Sequence, residues 1–120
     1  MVIQAKSNYD SRTEKNIRFV TPTTVAELKT YGVPSLFVKV YSNRCPPCRR
    51  LASFLEDYKT KKDIVVANIN AEEQSELFLV LKEKYEINSI PFFACVTPEL
   101  ETIDKTLGFN EEKVVQMLEK

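Results

Sequence analysis

The sequence has no histidine and only three cysteines, two of which, Cys45 and Cys48, lie close together in "NRCPPCRR". A closed zinc site draws four ligands, usually two Cys-x-x-Cys pairs or one pair with histidines. With Cys95 as the one other cysteine, this chain would need a carboxylate, water or a second subunit to complete such a site. An odd, low cysteine count also argues against a secreted disulfide scaffold and fits a reducing compartment. A Cys45–Cys48 bridge used as a staple would close so short a loop that it would restrict the unfolded chain little.

No apolar run approaches the roughly 18–20 residues of a spanning helix. The opening "MVIQAKSNYDSRTEKN" has no apolar core of a signal peptide. Nor is there a surplus of either charge: 17 basic residues face 17 acidic ones. That balance gives no global field toward nucleic acid or an anionic membrane, and leaves only a local patch at Arg44, Arg49 and Arg50. The expectation is a soluble cytoplasmic protein with neither nucleic acid nor membrane as partner.

A chain of 120 residues, 43% hydrophobic and 28% charged, suits one globular domain. Residues 1–16 are polar and aperiodic and read as an arm, leaving residues 17–120 as the domain. A short strand is predicted over residues 17–20. Thr24 and Glu27 have the spacing of a capping box for a helix of two turns, with Gly32 as its left-handed stop. "PSLFVKVYS", residues 34–42, is short, β-branched and aromatic, and predicts a buried central strand. Leu51, Phe54, Leu55 and Tyr58 form one helical stripe behind Cys48, so the CPPC segment becomes a strand-to-helix turn. "DIVVANIN" predicts a strand and "AEEQSELFLVLKEKYE" a helix. "PFFACVT" and "TIDKTLG" predict two further strands, and Asn110 caps a last helix. The order β-α-β-α-β-α-β-β-α implies an α/β fold: a central mixed β-sheet flanked by helices.

Redox chemistry asks less of two cysteines than zinc does. It needs a nucleophilic thiol whose thiolate is favoured and a second thiol near enough to resolve a mixed disulfide. At a helix start Cys45 lies by free N–H groups and the positive dipole end, while Cys48 sits one turn in and is better shielded. That makes Cys45 the expected attacker and Cys48 the resolver. Two prolines at the first helical positions stiffen the turn without losing a needed hydrogen bond. Cys95, mid-strand, reads as a packed thiol.

With "FVKVYSNRCPPCRR", "SIPFF" and Gly108 in this element order, residues 17–120 resemble the thioredoxin family. The resemblance implies a thioredoxin-like fold and dithiol–disulfide exchange without a cofactor, Cys45 being the nucleophile and Cys48 the resolving thiol. It implies that Pro91 is cis and that Ile90 and Pro91, with Arg44 nearby, meet an extended substrate. The chain departs from the family where Arg44 replaces a tryptophan, Pro46 a glycine, and Lys39 the buried acid that is thought to take the second cysteine's proton. Lys39, Arg44 and Arg49 favour thiolates and so a more oxidising couple; the alternative is that the long cations extend into solvent and do little. The helix before Pro91 is longer than usual in the family and very apolar, which predicts extra core, or else a partner surface.

The function expected is thiol–disulfide oxidoreduction on protein disulfides, recycled by a reductase or glutathione, by a monomer or, alternatively, a dimer. A glutaredoxin-like enzyme is the nearest competitor, but the glycine pair that holds glutathione is missing after "FFACV". The same residues also admit a binding module without turnover or a metal-bridged dimer.

Overall fold

The computed structural model describes residues 14–120, so most of the polar arm assigned to residues 1–16 lies outside the described residues. In chain order the elements are β1 (Lys15–Asn16), β2 (Arg18–Val20), α1 (Val25–Leu28), β3 (Ser35–Tyr41), α2 (Pro46–Asp57), β4 (Lys59–Thr60), β5 (Ile64–Asn70), α3 (Ser75–Tyr85), β6 (Phe92–Val96), β7 (Thr102–Leu107) and α4 (Glu111–Glu119). β1 and β4, both unforeseen, pair antiparallel with Lys15 opposite Thr60, and Lys59 Nζ donates to the Asn16 side chain. The end of the arm is thus fastened beside α2.

The main sheet has the order β2-β5-β3-β6-β7. β2 and β3 run parallel to β5, because helices carry the chain back between them, whereas β6 and β7 are added antiparallel. This is the mixed sheet that the element order implied. β3 lies at its centre and is apolar on both faces. Leu36, Val38 and Val40 point to the layer of α1 and α3, where they meet Leu28, Leu77, Leu81 and Tyr85. Phe37 points to the layer of α2 and α4 and packs with Leu51, Leu55, Val114 and Met117, its ring stacked on Phe93 at 5.0 Å. Each such side chain, fully buried, stabilises the fold by roughly 1.5–3 kcal/mol.

Two helices differ from expectation. α1 is one turn rather than two: the Thr24 hydroxyl accepts from Glu27 N at 3.0 Å, and the Glu27 carboxylate accepts from Thr23 N at 3.0 Å, one residue before the position expected. Thr30 then turns its hydroxyl back onto the Glu27 carbonyl at 2.6 Å, which competes with helix continuation. α3 starts at Ser75, since Asn70 Oδ1 accepts from Glu72 N and Glu73 N at 2.9 and 3.2 Å and holds residues 71–74 in a turn. Its apolar run is not all core: Leu79 and Val80 are 61% and 50% exposed, because they project from the face of α3 away from the sheet.

The sheet's outer strands are β2, only three residues long, and β7, which carries exposed Ile103 and Leu107 with Lys105 between them and meets a register shift at Cys95/Val96. α4 is tied to β7 by Lys113, whose Nζ donates to both Asp104 oxygens at 3.1 Å.

The β6–β7 turn places buried Leu100 at φ +68°, a left-handed conformation that disfavours a leucine. Tyr85 holds it there, donating its buried hydroxyl to the Leu100 carbonyl at 2.7 Å. Burial first, and the Glu101 charge second, push the Tyr85 phenol up to about 12, so it remains a donor throughout the physiological range. Y85F leaves that carbonyl buried and unpaired; the expected loss, read from urea unfolding, is about 1–2 kcal/mol.

Candidate functional site

Sheet polarity gathers the segments that carry the chemistry at one end. β3 delivers the Asn43–Arg44 turn and Cys45 there. β6 runs the other way with Phe92 opposite Val40, so Ile90 and Pro91 arrive at the same end. β7 finishes there too, with Leu107 opposite Phe92, and Gly108 N donates to the Pro91 carbonyl at 2.8 Å. Gly108 has φ +74°, which explains a glycine at that point. The Ile90–Pro91 peptide bond is cis, as the resemblance implied.

Cys45 is the N-cap of α2, in an extended conformation, and Pro46 and Pro47 fill the first helical positions. Its carbonyl accepts from Arg49 N at 3.1 Å and its Sγ accepts from Cys48 N at 3.2 Å. The sulfur therefore occupies the place of a capping oxygen at the positive end of the helix dipole. Cys45 and Cys48 form a disulfide, with their Cα atoms 5.1 Å apart. Both are buried, at 7% and 3% exposure. Cys45 in the closed pair is thus less open than a freely exposed nucleophile.

Sequence reasoning missed the brace behind this turn. Asn43 N donates to the Glu72 carboxylate at 2.8 Å, and Asn70 Nδ2 donates to Asn43 Oδ1 at 2.8 Å. The signal available was a pair of asparagines at the ends of adjacent parallel strands. Arg44, Arg49 and Arg50 are exposed, and Arg49 reaches back toward the Asn43 carbonyl at 3.5 Å.

Lys39 does not extend into solvent. It is 4% exposed, on the α2 side of β3, with Nζ 5.2 Å from the centre of the Tyr41 ring and 6.0 Å from that of Phe19. The alternative of a cation extended into solvent is corrected by position: on a central strand beneath α2 the lysine stem is enclosed, and the residue as a whole is almost wholly covered. Desolvation lowers its pKa to about 8, against the opposing pull of the Glu56 charge. Cys95 lies partly buried on β6; burial first, then Asp104, pushes its thiol up, in keeping with a packed thiol.

Among the described residues, no three His, Cys, Asp or Glu side chains assemble as a metal site, and no helix is long and apolar enough to cross a membrane.

A sequence profile of the family described as Thioredoxin matches residues 22–120. The chain belongs to the thioredoxin family. It is 33% identical over 86 residues to thioredoxin 1 of Plasmodium falciparum, covering 71% of this chain and 78% of that one. It is 30% identical over 76 residues to a probable protein disulfide-isomerase A6 of Medicago sativa, 60% of this chain but 20% of the larger protein. The solution structure of oxidised Plasmodium falciparum thioredoxin superposes with a TM-score of 0.63 at 27% identity, covering 87% of this chain and 96% of the other. Family membership and the paired cysteines identify thiol–disulfide oxidoreductase chemistry, set here in a thioredoxin frame with a lysine inside it.

That lysine has a measurable signature. The folded chain releases its proton near pH 8 and the unfolded chain near 10.5, so between those values the unfolded state holds more protons and stability rises with pH. Below pH 8 the buried charge costs about 3 kcal/mol, the free-energy equivalent of the shift. K39M is expected to be more stable than wild type at neutral pH and to lose the alkaline rise, as read from denaturant midpoints across the pH series.

Proposed function

We propose that the protein exchanges disulfides directly with other proteins, Cys45 attacking and Cys48 resolving, in the cytoplasm. The observation that carries this is the Cys48 N–H directed at Cys45 Sγ at the start of α2, a geometry that stabilises a thiolate there. The Cys45 thiolate attacks one sulfur of the substrate disulfide, and the other leaves as a thiolate that takes a proton. Cys48 then loses its proton and attacks Cys45 Sγ, releasing the second substrate thiolate and closing the Cys45–Cys48 bond. Two electrons pass from the protein's dithiol to the substrate, and a reductase or glutathione returns them.

The backbone just before Pro91 supports an extended protein substrate. Ile90 lies outside every strand and its backbone N–H and C=O make no hydrogen bond among the described residues, leaving both to pair with an incoming chain. The exposure of Arg44 next to Cys45 supports a contact with the substrate's flank. A second reading, a binding module without turnover, draws on Lys39 standing where the family has an acid.

C45S is expected to abolish disulfide reduction, and C48S to accumulate a mixed disulfide that dithiothreitol releases. Wild-type protein that binds partners but turns over no disulfide would leave only the module. The cationic surroundings should also make the couple more oxidising than the thioredoxin value of about −270 mV, measured against glutathione buffers. A potential at that value would mean that Lys39, Arg44 and Arg49 are electrostatically silent.

A further inference from the structure

Around the redox turn the charge is of one sign. Residues 36–55 contain four basic side chains, Lys39, Arg44, Arg49 and Arg50, and no acid. Lys39 is enclosed, but the three arginines are exposed. Arg44 directly precedes Cys45, and Arg49 follows it by four residues, the spacing that brings side chains together one turn apart on a helix. Arg49 and Arg50 line an open groove of about 430 Å³ with Pro46 and Ser53. The other loop at this end of the sheet, residues 87–91, carries no charge at all.

Within the fold these three charges go unanswered. The salt bridges among the described residues are all made by lysines, and the contact of Arg49 with the Asn43 carbonyl at 3.5 Å is to a neutral group. The positions three and four residues from Arg49 and Arg50 hold Cys45, Pro46, Pro47, Ala52, Ser53 and Phe54, so no helical neighbour is acidic. Glu72, beside the Asn43–Arg44 turn, is engaged by Asn43 N. Glu56, the first acid along α2, shares with Lys39 and the unpartnered Asn68 Oδ1 a cavity of about 270 Å³ behind Cys48, and no ion pair joins it to Arg49. Cations near the start of a helix also oppose its dipole, where acids are the stabilising choice. A patch that costs stability and satisfies nothing inside the chain suits an outside partner of opposite charge.

We propose that Arg44, Arg49 and Arg50 select the substrate, favouring proteins whose exchanging cysteine is flanked by aspartate or glutamate. The inference rests on the reading that Cys45 exchanges directly with protein disulfides. A chain that delivers its sulfur to Cys45 and pairs with the backbone of Ile90 brings its neighbouring side chains over Arg44 and the first turns of α2. Carboxylates there meet guanidinium groups, which stay charged and offer paired N–H donors to a carboxylate. At an exposed rim such contacts act chiefly on encounter, steering acidic segments in and turning basic ones away. The same arginines favour the Cys45 thiolate for every substrate alike. Selectivity therefore shows as a ratio between substrates and not as the rate on one of them.

The test is the second-order reaction of the reduced full chain with three peptides that differ only in the residues flanking one cysteine, which are glutamate, glutamine or lysine. That cysteine carries a pyridyl disulfide, and attack by Cys45 on the peptide sulfur releases an absorbing thione. No release from any peptide would sink the proposed function; release from all of them isolates the present question. At low salt the glutamate peptide should react about tenfold faster than the glutamine peptide, the lower end of electrostatic steering, and the lysine peptide more slowly than either. The advantage should collapse at molar salt, where the screening length falls to about 3 Å. R50Q should lower the glutamate-to-glutamine ratio about two- to threefold, the scale of one exposed ion pair, and R50E should lower it further. Equal rates for the three peptides at low salt overturn the proposal. So does a glutamate preference that neither molar salt nor R50E reduces, since the selectivity would then lie outside the arginines.

Discussion

A strand in the middle of a sheet covered on both faces has no solvent side, and this constraint on β3 organises the rest. Its alternation sends Leu36, Val38 and Val40 into one layer and Phe37 into the other, and so fixes which pairs of helices cover which face. The same alternation commits Lys39 to the layer beneath α2. A slip of one residue in register would exchange the two faces completely. The ladders to β5 and β6, seven and five residue pairs long, prevent it.

That strand also directs the chemistry. Its end fixes where the Asn43–Arg44 turn begins, and Asn70 and Glu72, from the end of the neighbouring parallel strand, hold the turn against movement. α2 then starts with a sulfur as its cap, so the redox pair is built from the same backbone N–H that a serine or aspartate would satisfy in an ordinary helix. The arrangement carries a cost in stability, a desolvated amine and an orphaned amide oxygen close to the working cysteines. Proteins tolerate such defects chiefly where activity depends on them.

Much of this was legible in the sequence where one local rule acted without competition. The CPPC turn, the Asn110 cap and the central strand all depend on short-range chemistry that the residues state outright, whereas the cis bond before Pro91 was legible only through the family resemblance. Failures came where two rules competed. Thr24 and Glu27 announced a helix, but the Thr30 hydroxyl ended it after one turn. "AEEQ" looked helical, but the Asn70 side chain captured its N–H groups first. The apolar count of α3 suggested core, and only the rotation of the helix on the sheet shows that Leu79 and Val80 miss it. Lys39 could be read as near Cys48, but not as enclosed with Asn68 and Glu56, because that grouping joins three elements.

The outer strands bear on how the protein behaves among its own copies. An unpaired sheet edge is a template on which another chain can add a strand. β2 offers only three residues of it, too few for a lasting ladder. β7 is longer, but Lys105 interrupts its exposed apolar face and the irregular register at Cys95/Val96 bends the pairing behind it. A newcomer would have to desolvate an ammonium and match a distorted ribbon. Both edges of the described sheet are therefore poor templates for a further strand.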